Sequence, residues 1–217
     1  MPRLVPILLL AAACGGGTGG AGDDTNLSDA AASSDAPSQH GLLVNIVAMP
    51  ALPGQLKTDL TVTSAVFHIQ RLQVIGDNGQ PMTSAPLVLS WQAEGNPPPI
   101  DFPSAPSGLY SQVSMEIDDA SFNPCYEIFG TTKSMGNMEM FHIVDRNSLD
   151  VDITGYTVTL SPGRDAVMGV KLDLKDAIDN VDFGMLPTVQ GMRTMDTIDP
   201  QMVQFRDKLD EAFKRTP

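Results

Sequence analysis

Basic residues are scarce in this chain of 217 residues: 13 Lys and Arg stand against 26 Asp and Glu, for a formal net charge of −13. Gripping phosphates takes clustered Lys and Arg, so the balance argues against a nucleic-acid partner. Two cysteines exclude a domain stapled by several disulfides. One Trp and three Tyr are too few for an aromatic sugar platform. No repeat of solenoid length is visible. Gly-x-Ser-x-Gly, the P-loop, His-Glu-x-x-His and Cys-x-x-Cys do not occur, which removes the common hydrolase, nucleotide, zinc and thiol-redox signatures. The apolar run at residues 4–13 covers about 15 Å as helix, half of a bilayer core of about 30 Å.

What is present begins at that run. Arg3 supplies a positive start, residues 4–10 are apolar, and Ala11-Ala12-Ala13 precede Cys14 and three glycines. This order predicts a secretory signal over residues 1–13. Leu10-Ala11-Ala12-Ala13-Cys14 resembles the lipobox of bacterial lipoproteins. The resemblance implies cleavage before Cys14, lipidation of its sulfur, and attachment to the membrane through that lipid. Gly15 in place of Asp implies the outer membrane rather than the inner one. Cleavage by an ordinary signal peptidase after Ala13 is the alternative and leaves Cys14 bare.

Residues 14–40 carry Gly, Ser, Ala, Asp and one Leu, with no apolar periodicity to bury. We expect a disordered tether with a root-mean-square span of about 28 Å. Its four acids leave residues 41–217 with 22 acidic and 12 basic side chains. Such a domain is repelled by anionic surfaces.

Residues 41–217 read as one mainly β domain. Strand patterns cover residues 42–49, 61–75, 87–92, 109–117, 139–144, 149–153, 156–160 and 166–174. The apolar positions of 61–75 do not keep one parity, which predicts a bulge near Gln70-Arg71. Asp77-Asn78-Gly79 predicts a hairpin turn, and residues 161–164 a second one. In 109–117 we expect Leu109, Val113, Met115 and Ile117 on the core face, with Tyr110 facing water. Residues 173–183 contain a short helical pattern. Asp199-Pro200 starts an amphipathic helix over about 199–215, with Met202, Phe205, Leu209, Ala212 and Phe213 as its stripe. Asp210–Lys214 and Glu211–Arg215 are spaced as i,i+4 pairs. The expectation is an antiparallel β-sandwich of about eight strands, immunoglobulin-like or transthyretin-like, with a C-terminal amphipathic helix.

Several stretches carry a second resemblance: the Val-rich segment 62–75, the Trp91 strand, Pro106-Ser107-Gly108-Leu109-Tyr110, Leu160-Ser161-Pro162-Gly163 and Lys171-Leu172-Asp173-Leu174. Together they resemble a β-sandwich family of predicted bacterial lipoproteins known only as a domain of unknown function. That family has no established activity, so the resemblance implies no catalytic residue and no cofactor.

The remaining chemistry is sparse. His68 and His142 lie inside strand patterns and read as solvent-facing or hydrogen-bonded histidines. Asp118, Asp119, Asp150 and Asp152 are candidate oxygen donors for Ca²⁺, against the plainer reading of surface charge. Cys125 has no basic neighbour in sequence and reads as a buried inert thiol. The twelve methionines read as packing filler, with soft Cu(I) ligands or an adaptable surface as alternatives. The expected function is a cell-envelope lipoprotein acting as a non-enzymatic binding or assembly module for an envelope protein or glycan. A hydrolase with a His/Asp site and a calcium-stabilised adhesive domain are the alternatives.

Overall fold

The computed structural model describes residues 41–216 except 78, 93–94, 120–122 and 135. The expectations for the signal, Cys14 and the tether lie outside the described residues.

The domain is mainly β and built from two sheets. The smaller contains β1 (Leu42–Ala48), β6 (Ile100–Phe102), β11 (Ala166–Leu172) and β14 (Phe213–Arg215) in the order β14-β11-β1-β6. The larger is organised around β3 (Leu60–Gly76), flanked by β2 (Gly54–Lys57), β4 (Pro81–Thr83), β5 (Leu87–Trp91), β7 (Gly108–Ile117) and β8 (Tyr126–Ser134). β10 (Leu149–Leu160) adds to β7, and β9 (Asn137–Asp145), β13 (Met192–Met195) and β12 (Thr188–Val189) extend outward from β8. Helix α1 is Lys175–Asp179, a 3-10 turn spans Phe183–Met185, and α2 is Gln201–Asp210.

One hydrophobic core joins the sheets. Phe67 of β3 meets Phe213 of β14 edge-on at 5.6 Å and also touches Trp91 and Tyr126. Removing these large apolar side chains from water is the main force holding the layers together.

The strand β3 sets the layout. Its 65–69 stretch pairs with β5, while 60–67 pairs with β8 and 69–76 with β7, all antiparallel. Residues 65–67 therefore carry β5 on one side and β8 on the other, and Ile69 carries β5 and β7. It follows that β7 and β8 lie end to end along the same side of β3. The expected bulge is present: register shifts between Ile69 and Arg71, and both Gln70 and Arg71 are exposed. An extra residue there keeps apolar positions on the core face in both halves of the strand.

Other expectations need correction. The fold has more strands than eight, and it is not purely antiparallel, because β1–β11 and β9–β13 pair in parallel. Within β7, Tyr110 is buried and Leu109 exposed, the reverse of the expected faces. A register irregularity opposite Ile75–Gly76 flips the parity between them and Val113. Residues 156–160 belong to one long β10 with residues 149–153, interrupted around Gly155 (φ +82°). The turn at 161–164 joins β10 to β11 in the other sheet, so it is a crossover between layers rather than a hairpin.

The C-terminal helix stops at Asp210. Asp199 accepts from the Gln201 N–H at 2.8 Å and caps its start, as expected. At the far end, Asp173 N–H bonds to the Ala212 carbonyl and Phe213 pairs with Leu172, so strand pairing displaces the last helical turn. The expected i,i+4 pairs do not form. Lys208 instead binds Glu211 at 2.7 Å.

Helix α2 is fastened by a buried charge. Asp145, at the end of β9, is fully buried. It receives two hydrogen bonds from Arg206 (2.5 and 2.8 Å), one from the Tyr126 hydroxyl (2.9 Å) and one from the Asn147 N–H (3.1 Å). Burial pushes its carboxyl up, but those donors together hold it below the ordinary carboxylate range. Asp145→Ala leaves the guanidinium without its partner and should cost about 3–5 kcal/mol in equilibrium urea unfolding. Because the folded value is depressed, the contribution is complete above about pH 4 and is lost as pH falls through the lowered value. The variant should therefore lose part of the acid limb of the stability profile.

Candidate functional site

The most irregular place in the larger sheet also gathers its chemistry. Where β7 hands over to β8 on the same side of β3, the chain leaves the ladder after Ile117 and rejoins it at Tyr126, an excursion that begins with Asp118 and ends with Cys125. The ladder brackets it: Asp118 N–H bonds to the His68 carbonyl at 3.0 Å, and His68 N–H bonds to the Cys125 carbonyl at 2.9 Å. On the other side of β3, β4 and β5 are interrupted at residues 84–86. The bulge at Gln70-Arg71 lies beside both breaks. Bulges next to interrupted pairing re-aim side chains, a common arrangement at binding sites.

Here His68 Nδ1 stands 3.1 Å from Asp119 Oδ2. The His68 side chain is about a third exposed and that of Asp119 nearly buried. A carboxylate can only accept, so Nδ1 carries the proton, and in that tautomer of the imidazole the lone pair lies on Nε2. Asp118 Oδ1 accepts from the Asp119 N–H at 2.8 Å and from the Cys125 thiol at 3.5 Å. A shallow cleft of about 290 Å³ opens here, with His68, Gln70, Val88, Asp118 and Asn123 on its walls. The pairing equips the cleft with a hydrogen-bonded imidazole, fit for taking up a proton or orienting a polar ligand.

Cys125 is not the nucleophile of this group. It is buried, and burial pushes its thiol up to about 11, with Asp118 and Asp145 adding to the rise against a lowering bond from the Asp119 backbone. A thiol in that state is protonated at neutral pH and inert.

The four aspartates raised as oxygen donors separate into two groups. Asp118 and Asp119 belong to the His68 cleft. Asp150 and Asp152 lie on β10 opposite Glu116 and Ser114, and Asp152 accepts from Gln112 at 3.0 Å. Among the described residues no three His, Cys, Asp or Glu side chains converge as a metal group. Asp152 faces a different neighbour: with Glu211 and Asp207 it adds to the burial that pushes the Asp210 carboxyl up.

His142 also has a carboxylate partner, Glu127 at 3.1 Å, and its ring stacks on Phe129 at 4.1 Å. The methionines divide. Met115, Met168, Met195 and Met202 are core filler as expected, but Met138, Met140 and Met185 are more than half exposed. A larger recess of about 550 Å³ lies between the β2–β3 turn, β8 and residues 181–184. Lys57 on its wall is bonded to Asp179, which Lys175 also holds.

Sequence reasoning singled out His68, the pair Asp118 and Asp119, and Cys125, and raised a His/Asp site as an alternative without naming its Asp. It missed which groups meet, because the β7–β8 junction that joins them depends on β8, a strand that its Gly130-Thr131-Thr132-Lys133 run disguises. The alternation of Tyr126, Ile128, Gly130 and Thr132 on the buried parity was the available signal.

Compared with family models, curated proteins and solved structures, the chain matches none.

The raised, buried thiol gives a direct test. In the folded protein at pH 8, Cys125 should resist iodoacetamide over hours while reacting fully in denaturant, as read by mass spectrometry of its peptide. Rapid native labelling would contradict the burial.

Proposed function

We propose that this protein is a lipid-anchored lipoprotein of the bacterial cell envelope whose β-sandwich works as a binding or assembly module. The observation that carries the reading is the Leu10-Ala11-Ala12-Ala13-Cys14 segment after a basic start and a short apolar run. Two or more acyl chains hold a protein firmly at a membrane where one does not. The Gly/Ser/Asp-rich stretch after Cys14 supports it, because a spacer of that composition lets an acidic domain stand off an anionic surface. Cys125 does not compete for that role in the folded domain, because its thiol is buried and protonated. The likeness to the lipoprotein domain of unknown function belongs to the same proposal, as does an envelope protein or glycan as partner.

Metabolic labelling with a clickable palmitate analogue in a bacterial host should mark the wild-type chain and not Cys14→Ser. The wild type should need detergent for extraction, while the variant leaves with the soluble envelope fraction. An unlabelled, freely soluble wild type overturns the anchor.

One observation favours a second reading, hydrolysis at the cleft: the 3.1 Å His68–Asp119 contact. General-base catalysis contributes about 10²–10⁴-fold. Any esterase or phosphatase turnover found for the wild type should therefore fall by about 100-fold or more in His68→Ala. Turnover that survives in His68→Ala belongs elsewhere.

A further inference from the structure

The outer face of β9 and β13 is unusual in what it shows to water. Residues directly opposite one another across paired strands share a face, and so do residues two apart along one strand. Met140 of β9 is registered with Met192 of β13, and Met138 is two residues before Met140. The three thioether side chains therefore occupy neighbouring positions on one surface. Met138 is 60% exposed, Met140 56% exposed, and Met192 partly buried beside them.

Exposed strand positions favour β-branched, aromatic or polar side chains. An unbranched thioether gains little there by packing, so three in one patch call for another account. Neighbouring strands lie about 4.7–4.9 Å apart, and next-but-one residues on a strand about 6.6 Å apart. Each sulfur sits two bonds beyond Cβ on a freely rotating stem. That reach lets all three sulfurs meet over a single point above β9.

Most of the charges nearby are already engaged. Arg193, on the opposite parity of β13, is bound twice by Glu139 at 2.6 and 3.3 Å and also donates to the Leu186 carbonyl. The Glu127 carboxylate is occupied by His142. Lys133 is registered with Met138 from the β8 side, away from Met192, and is exposed. Between Met138, Met140 and Met192, on the side away from Lys133, the surface offers neutral, polarizable sulfur. Thioethers in that number select a soft monovalent ion, while hard divalent cations require oxygen ligands.

The geometry points to a Cu(I) site formed by the thioethers of Met138, Met140 and Met192. His142, next in the row on β9, is held by Glu127 and by its stack on Phe129 and is not part of the donor set. The site is independent of the His68 cleft and of the anchor at Cys14.

The test uses the full-length chain with Cys14→Ser, so that a free thiolate does not compete. It is titrated without oxygen against a chromophoric Cu(I) chelator. The expected result is withdrawal of one equivalent of Cu(I). Losing an outer-shell partner alone costs about 10–100-fold in metal affinity, so the combined M138L, M140L and M192L variant should lose about 100-fold or more. In a second measurement, Ag(I) is added to protein carrying ¹³C-methyl methionine. The Met138, Met140 and Met192 methyl signals should shift together while the remaining methionine signals hold, and this needs no variant to fold. Retention of all Cu(I) by the chelator, equal affinity in a folded triple-leucine variant, or shifts confined to other methionines overturns the site.

Discussion

A single buried carboxylate ties the corner of this molecule together. Asp145 ends β9 with its side chain inside the protein, where an unpaired charge would cost several kcal/mol. Arg206 from α2, Tyr126 from β8 and the Asn147 backbone fill its lone pairs. Its backbone carbonyl accepts the Cys125 N–H at 2.7 Å. One residue thus fixes three things: the helix on the sheet, the first residue of β8, and the end of the excursion that carries Asp118 and Asp119. Arg206 completes the arrangement by donating to the Thr197 carbonyl, which holds the loop leading into α2. Such a pair stabilises little relative to a well-packed apolar substitute, yet it permits only one placement of its partners. The position of the His68 cleft follows from that constraint.

The second organising fact is that β3 serves two partners in turn along one edge. The strand is 17 residues long and twists along its length, and it pairs first with β8 and then with β7. Changing from β8 to β7 leaves a gap in the pairing, between Ile117 at the end of β7 and Tyr126 at the start of β8. The bulge at Gln70-Arg71 repairs the parity on β3 itself. Backbone groups that would face neighbours in an unbroken sheet are there available to position side chains, which is why His68, Asp119 and Asp118 converge at this seam.

Much of this was legible. The bulge showed in the sequence as a break of alternation in residues 61–75, since a buried face enforces period two. The Asp199 cap and the Met202-Phe205-Leu209 stripe were readable for the same local reasons. What was not legible depends on contacts distant in sequence. Parallel pairing of β1 with β11 joins residues more than a hundred positions apart. The final strand replaces helix where it pairs with β11 and where Phe213 meets Phe67. In β8, Gly130 breaks the expected pattern for a reason visible only in three dimensions. A Cβ there would lie 2.2 Å from the Thr61 carbonyl oxygen and 2.4 Å from the Phe141 ring. The site shared this fate, because His68 and Asp119 stand 51 positions apart in the chain, which hides their pairing.

The acidic balance noted in the composition has a local consequence at the end of α2. Asp207, Asp210 and Glu211 crowd the C-terminal turn, where the helix dipole favours cations, and Asp152 of β10 stands close enough to raise Asp210 further. Lys208 answers Glu211, but the next bases, Lys214 and Arg215, have left the helix for β14. Arg215 donates instead to the Gly155 carbonyl, at the irregularity of β10. The chain thus uses its few cations to fasten edges and turns, with Arg206 inside the corner, Arg193 at the sheet rim, Lys57 on α1 and Arg215 on β10. Asp59, Asp77, Asp101 and Asp150, which those cations do not reach, are exposed. On a chain with half as many bases as acids, that allocation explains how a strongly anionic surface surrounds a firmly locked core.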